Sequence, residues 1–393
     1  MERDVVVVSG VRTAIGDFGG GLKDFAPTQL AAKVVAEAMR RAGVNGEEVG
    51  HVVFGNVIHT EPKDMYLSRV AALDGGVAES VPALTLNRLC GSGLQAVITA
   101  AHSIMLGDAD IAIGGGAESM SRAPHTVAGA RWGTRMGDAA MTDMLLGSLQ
   151  DPFHKIHMGV TAENVAERYG ITRERQDALA LESHRRAARA VANGYFKEQI
   201  LPITQETRKG QVVFDTDEHV RGDTTADGLA GMRPAFSKTG SVTAANASGI
   251  NDGAAALVLM EAGLAKSRGL EVLGRLVSYA HAGVDPRYMG IGPVPATRKA
   301  LERAGLTLAD IDVIEANEAF AAQACAVAQE LQLDPDKVNP NGSGISLGHP
   351  IGATGAIICV KALYELQRTG GRYALVTMCI GGGQGIAAIF ERL

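Results

Sequence analysis

Short aliphatic runs alternate with longer stretches of helical period along most of the chain. Val5–Val8 is an unbroken β-branched run and predicts a buried strand. A helical stretch from about Pro27 to Arg41 follows, and then a strand at Val52–Phe54. Ala83–Leu86 predicts a strand that leads into a helix from about Ser92 to Leu106, with the next strand at Ile111–Gly114. This beat predicts α/β layering. It fails between residues 119 and 249, which hold the only tryptophan, Trp132. One strong helix is predicted there, from Thr172 as N-cap to Asn193-Gly194 as C-cap, with Glu182 and Arg186 paired at i,i+4. The region reads as an inserted subdomain covering a site.

The beat then returns. Leu273–Ala280, Val313–Ala316 and Tyr373–Cys379 predict strands; Pro295–Ala304, Glu318–Leu331 and Gly352–Gln367 predict helices. An internal repeat is visible. Cys90-Gly-Ser-Gly, a helix and Asp110-Ile-Ala-Ile-Gly-Gly-Gly116 in the first half answer to Asn341-Gly-Ser-Gly344, Gly348-His-Pro350, a helix and a strand ending in Ile380-Gly-Gly-Gly383 in the second. Two related α/β halves packed together account for it.

Composition narrows the class. At about 150 residues per domain, 393 residues make two or three units. A 46% hydrophobic and 20% charged chain is not intrinsically disordered. Glycine supplies 49 residues, well above the usual share of about 7%, and with no collagen period the excess belongs to turns and close backbone approaches. With 4% aromatics, the core is built from Ala, Val, Ile and Leu. Net charge is −6 with no basic stripe, so a nucleic-acid partner is not expected. No apolar run approaches the roughly 18 residues of a membrane span. The start, Met1-Glu2-Arg3-Asp4, leaves no room for a signal or transit peptide, and the end, Phe390-Glu-Arg-Leu393, is not a peroxisomal tail. The expectation is a soluble cytoplasmic protein.

The four cysteines form no CxxC pair, which argues against zinc-ribbon and thioredoxin sites. Cys90 lies between a strand and a helix, with Gly91 and Gly93 allowing a sharp turn. A thiol there faces free N–H groups that favour thiolate and can hold an oxyanion. His349, in Gly348-His-Pro-Ile-Gly352, is placed at a helix start, where the dipole favours a neutral base. Cys379 closes a strand before Gly381-Gly-Gly383, facing the ligand crevice of an open α/β sheet, and a thiol there can act as acid or base. Cys325 and Cys359 lie in apolar helical stretches and are assigned to packing. Asn317 reads as a helix N-cap, or as a residue orienting a water or oxyanion. Gly91-Ser-Gly-Leu-Gln-Ala96 fits the dinucleotide fingerprint, but the acid that should close the next strand, Asp110, opens it.

Taken together, Asn87-Arg-Leu-Cys90-Gly-Ser-Gly, Asn317-Glu-Ala-Phe320, Asn339-Pro-Asn-Gly-Ser-Gly-Ile-Ser-Leu-Gly-His349-Pro, Met378-Cys379-Ile-Gly-Gly-Gly-Gln-Gly385 and the opening Val8-Ser-Gly-Val-Arg-Thr-Ala-Ile-Gly16 resemble the thiolase family over essentially the whole chain. The resemblance is closest to bacterial acetyl-CoA acetyltransferases and β-ketothiolases that feed polyhydroxyalkanoate synthesis. It implies a five-layer αβαβα fold, with an N-terminal half (1–118 plus 250–272), an inserted loop domain binding coenzyme A (119–249) and a C-terminal half (273–393). It implies reversible Claisen condensation of acetyl-CoA with a short acyl-CoA, in a homotetramer (a dimer of dimers). Neither a metal nor a redox cofactor is required; coenzyme A is substrate and product.

Roles follow from the same resemblance. Cys90 matches the nucleophile, His349 the base that activates it and then holds the thioester oxygen, Asn317 the residue that places a water in that oxyanion site, and Cys379 the acid/base at the α-carbon. The N–H groups of Cys90 and Gly381 match a second oxyanion hole. His157, Met158, Arg221, Thr224, Phe236, Ala244, Ser248 and Met289 match coenzyme A and acyl contacts, with Arg221 toward the nucleotide end, Ser248 at the pantetheine, and Met158 and Met289 lining the acyl pocket. Met65 stands where many acetoacetyl-CoA-type members have glutamine, and as an apolar lining it predicts room for longer chains. A ketoacyl synthase of the same fold is the rival enzyme, against which Cys379 and the Asn-Glu-Ala-Phe run argue; a non-catalytic lipid carrier is expected to have lost Cys90, His349 or Cys379, and all three are present.

Overall fold

The computed structural model describes residues 3–207 and 210–393; Met1 and Glu2, part of the start read above, lie outside the described residues. The chain opens with β1 (Val5–Thr13), buried along its whole length, and a short β2 (Gly16–Asp17). Next come α1 (Pro27–Ala42), β3 (His51–Gly55), α2 (Leu67–Asp74), β4 (Ala83–Leu86), α3 (Ser92–Met105) and β5 (Ile111–Ser119). A middle segment holds the pair β6 (His125–Thr126) and β7 (Thr142–Asp143), then α4 (Met144–Ser148), α5 (Met158–Tyr169) and α6 (Arg173–Ala192). It continues with β8 (Ile200–Leu201), the hairpin β9 (Ile203–Thr207) and β10 (Gly210–Phe214), and α7 (Ala226–Ala230). Helix α6 is capped as the sequence predicts: the Thr172 side chain accepts from Arg175 N, and Asn193 is the C-cap.

Strand β11 (Asn251–Glu261) then returns to the first sheet, between β1 and β5, and is followed by α8 (Ala262–Ser267). The second half is β12 (Gly274–Gly283), α9 (Pro293–Ala304), β13 (Val313–Ala316), α10 (Ala321–Leu331), α11 (Gly344–Leu347), α12 (Thr354–Thr369), β14 (Tyr373–Ile380) and β15 (Gln384–Glu391). Its strands run β13-β14-β15-β12, and those of the first half β1-β11-β5-β3-β4. The two sheets meet at one seam, where Val6 and Val7 of β1 pair with Arg275 and Gly274 of β12.

Helices α1 and α2 cover one face of the first sheet, α3 and α12 pack on each other between the sheets, and α9 covers the far face of the second. This is the five-layer αβαβα arrangement. Glycine makes the central layer thin enough. A Cβ on Gly93 would stand 2.6 Å from Ala356 N, and one on Gly355 2.2 Å from Leu94 N, so α3 and α12 touch backbone to backbone.

Three sequence expectations change. The Ile-Gly-Gly-Gly repeat is out of structural register: Gly114–Gly116 stay inside β5, whereas Gly381–Gly383 form the turn between β14 and β15. Helix α9 begins at Pro293, two residues before Pro295. Helix α10 begins at Ala321 with Phe320 at its N-cap, so Asn317 is not a cap. The middle segment is anchored to β1 by a buried bidentate ion pair, with Arg12 Nη1 and Nη2 2.7 and 2.9 Å from the Asp217 carboxylate.

Candidate active site

The β4–α3 turn presents Cys90 by holding the residue before it in an unfavourable conformation. Leu89 has φ +46°, which costs a non-glycine residue on the order of 1 kcal/mol or more. Two side chains brace it. Asn87 Oδ1 accepts from Leu89 N at 2.8 Å; Ser92 Oγ accepts from Arg88 N at 2.8 Å and donates to Leu89 O at 2.7 Å. Gly91 admits no side chain, since a Cβ would stand 2.5 Å from Ile380 Cδ1.

The thiol is not held as thiolate. Burial pushes Cys90 up to about 11; the N–H groups of Gly381 and Cys90 itself pull it back, and the Glu118 charge adds to the rise. Desolvation therefore outweighs the helix terminus: Cys90 precedes the N-cap Gly91 and is part-buried. Cys379, one residue from the end of β14, is fully buried, and burial followed by the nearby Cys90 pushes its thiol up. The Cys90 sulfur thus opposes ionisation of Cys379.

His349 lies in the loop between α11 and α12, five residues before Thr354, and not at a helix start. Burial, rather than a dipole, holds it down at about 4, so it is neutral. Its tautomer is fixed by the network. Thr354 Oγ1 donates its one proton to Pro350 O at 2.9 Å and lies 2.6 Å from His349 Nδ1, so Nδ1 must be the donor. Nε2 is left as the acceptor and takes a hydrogen bond from Asn317 Nδ2 at 3.4 Å. Asn251 Oδ1 accepts from His349 N at 2.9 Å and fixes the backbone. Asn317 follows β13 directly, tied by its N–H to Thr377 O at 3.0 Å.

A cavity of about 530 Å³ opens on these groups. Cys90, His349 and Gly381 line it, together with His157, Met158, Phe236, Ala244, Ser248 and Met289. Phe236 stacks on His157 with ring centroids 4.7 Å apart, and Phe320 meets Phe236 edge-on at 6.1 Å. Cys379 and Asn317 are buried and outside the lining. Arg221 and Thr224 are also outside the lining. Arg221 is exposed and pairs with Asp17, which does line the cavity, and Thr224 bonds the Arg221 carbonyl. Met65 is exposed and off the lining, so the expected acyl-pocket contact is not made within this chain. The sequence carries no site signal for Asp17, Leu149 and His219 in the lining, or for Glu118, Asn251 and Thr354 behind it. Leu89, Ala319, Phe320 and Ile351, also in the lining, lie inside the motifs around Cys90, Asn317 and His349.

Family comparison gives the arrangement its class. Residues 5–263 match the thiolase N-terminal domain and residues 270–392 the thiolase C-terminal domain. The chain is a thiolase. It is similar to the beta-ketothiolase BktB of Cupriavidus necator, at 71% identity over 100% of both chains, and to the acetyl-CoA acetyltransferase of Escherichia coli, at 51% over 100% of both. Among solved structures it is similar to the Bacillus anthracis acetyl-CoA acetyltransferase (TM-score 0.97, 49% identity, 100% and 99% of the two chains). It also resembles human mitochondrial 3-ketoacyl-CoA thiolase in complex with CoA (TM-score 0.96, 43% identity, 100% and 98%). This thiolase is accordingly an acyl-CoA C-acyltransferase, forming 3-ketoacyl-CoA from acetyl-CoA by reversible Claisen condensation. Among the described residues, no helix is long and apolar enough to cross a membrane, and no group of three or more His, Cys, Asp or Glu could hold a metal ion.

Proposed function

We propose that the thiolase works through an acyl-enzyme on Cys90, with roles that the geometry above supports. His349 Nε2 takes the Cys90 proton as Sγ attacks the thioester carbonyl. The N–H groups of Cys90 and Gly381 hold the oxygen of the Cys90-bound acyl group. Cys379 gives its proton to the departing coenzyme A thiolate and so becomes the base for the second step. It then removes a proton from the α-carbon of acetyl-CoA, while protonated His349 and a water placed by Asn317 hold the enolate oxygen. The new C–C bond forms as the C–S bond to Cys90 breaks, and His349 returns the proton to Cys90. The observation that carries this reading is the convergence on one cavity of a protonated thiol, a neutral histidine whose Nε2 is its acceptor and the Gly381 N–H.

Residues 119–249 form the coenzyme A domain in this reading. His157, Phe236, Ala244 and Ser248 take the pantetheine arm, Met158 and Met289 the acyl chain, and Arg221 and Thr224 the nucleotide end. The position of Arg221, paired with the cavity-lining Asp17, supports that assignment. Thiolysis of acetoacetyl-CoA by free coenzyme A tests the whole. Cleavage is expected, with 3-ketovaleryl-CoA and 3-ketohexanoyl-CoA within about tenfold because Met158 and Met289 give an apolar wall. Failure to cleave acetoacetyl-CoA contradicts the reading; a much steeper fall with length restricts it to C4.

The product suits polyhydroxyalkanoate synthesis in the cytoplasm, and the assembly is a homotetramer, a dimer of dimers. Exposed Trp132, Met136 and Met141 between β6 and β7, and the part-exposed edge strand β4, are apolar surface of the kind that self-association buries. Light scattering on the purified protein should return four protomers, and a monomer would contradict this.

A further inference from the structure

The two halves repeat part of the catalytic geometry, and one of the residues at the repeated places, Glu118, is not used by the mechanism. In the second half Ala316 of β13 pairs with Thr377 of β14; Asn317 follows the first, and Cys379 lies two past the second. In the first half Gly55 of β3 pairs with Gly116 of β5; Asn56 follows the first, and Glu118 lies two past the second. Glu118 therefore occupies the place of Cys379 in the other half. The helices correspond in the same way. Gly93 and Gly355 mark the α3–α12 contact, and three residues before them stand Cys90 and Gly352. As Cys379 senses Cys90, so Glu118 meets Gly352.

The contact is close. Glu118 is fully buried, and its Oε2 accepts from Gly352 N at 2.9 Å and Val57 N at 3.1 Å. Oε1 accepts from Ile58 N at 3.1 Å and Asn56 Nδ2 at 3.0 Å. Burial pushes Glu118 up to about 8, and the N–H groups of Ile58, Val57 and Gly352 pull it back; ionised, its carboxylate has all four acceptor positions filled. A Cβ on Gly352 would stand 2.4 Å from Oε2, so the chain passes at a distance only glycine allows. Gly352 closes the His349-Pro-Ile-Gly turn, whose Ile351 lines the cavity with Cys90 and His349.

We infer that Glu118 is a positioning residue for acyl transfer: its carboxylate clamps the 56–58 loop to the His349–Gly352 turn and fixes that turn against Cys90. The inference rests on the roles given above to Cys90 and His349. In the range where Cys90 titrates, near 11, Glu118 is ionised and its negative charge opposes loss of the Cys90 proton. The other ionisable groups around the pair are Asp64, from the turn at Pro62–Tyr66, which faces Glu118, and Cys379 and His349 on the Cys90 side. The thiol thus stays protonated until His349 takes its proton.

Two variants separate reach from charge. Glu118→Gln keeps the length but removes the charge and points an amide donor at other donors. Glu118→Asp keeps the charge but is one methylene too short to hold both loop and turn. Both should lower kcat for acetoacetyl-CoA thiolysis by roughly 10- to 100-fold, with KM within about threefold. The rate of Cys90 alkylation by iodoacetamide, followed at its own peptide, should shift to lower pH in Glu118→Gln by about one unit and stay in place in Glu118→Asp. Wild-type kcat in Glu118→Asp overturns the inference, as does an unmoved alkylation profile in folded Glu118→Gln. Should Glu118→Gln not fold, the kcat of Glu118→Asp decides alone. Wild-type thiolysis, and its dependence on Cys90, test the underlying mechanism separately.

Discussion

Cys90→Ala should give a folded protein that cleaves acetoacetyl-CoA more slowly by roughly four orders of magnitude or more. The reasoning runs through Sγ alone. Without it no acyl group can be held between the two half-reactions, and neither His349 nor Cys379 can take its place. Cys379 is needed as the acid and base of the two half-reactions, and His349 as the proton carrier. The cost to the fold is small, because Cys90 is only part-buried and the turn is held by Asn87 and Ser92, which the substitution leaves intact. Melting should move by no more than a few degrees, about 1 kcal/mol or less. Steady-state thiolysis and a circular-dichroism melt on the same preparation measure both. A loss below about tenfold in a folded variant would remove Cys90 from the chemistry.

Cys379→Ala should separate the two half-reactions. Turnover should fall by about three orders of magnitude, since the α-proton of a thioester is weakly acidic and no other base stands at that place. Acyl transfer from acetyl-CoA to Cys90 should still occur, more slowly, because it needs Cys90, His349 and the Gly381 N–H. The variant should therefore accumulate acetyl-enzyme and lose the enzyme-catalysed exchange of acetyl-CoA α-hydrogens with deuterated water. Mass spectrometry of the protein and proton magnetic resonance of the substrate read the two effects. Exchange at the wild-type rate in Cys379→Ala would show that the base lies elsewhere.

Much of this architecture is legible in the sequence because periodicity marks elements whose burial is one-sided or complete. Ala83–Leu86 and Val313–Ala316 are strands with the bounds the sequence predicts, and α6 starts and stops at its caps. Strand β11 escapes because Asn251-Asp-Gly-Ala-Ala-Ala reads as a loop or a small-residue helix; only its seat between β1 and β5 makes it a strand. Helix α5 escapes because Gly159 sits in its first turn, and that glycine is demanded by Phe236, whose ring would lie 2.3 Å from a Cβ. The motif residues Cys90, His349 and Gly381 meet at the cavity, and Cys379 stands behind it.

What the sequence misjudges is electrostatics. A thiol beside a helix start was expected to ionise and a histidine at a helix start to be neutral by its dipole, yet burial decides both. Desolvation depends on what packs around a group from distant parts of the chain, which local pattern does not carry. The same holds for Glu118 and Thr354, whose partners lie in other elements or on a turn that the sequence does not define.

The central claim is that the acyl group passes through Cys90. The direct measurement is to mix the protein with acetyl-CoA alone, quench in acid, digest, and map the added mass. The account predicts one acetyl group on the peptide carrying Cys90, as a thioester removed by hydroxylamine and discharged by free coenzyme A. An active enzyme whose acetyl group maps to Cys379, or that carries none while turning over, would contradict it.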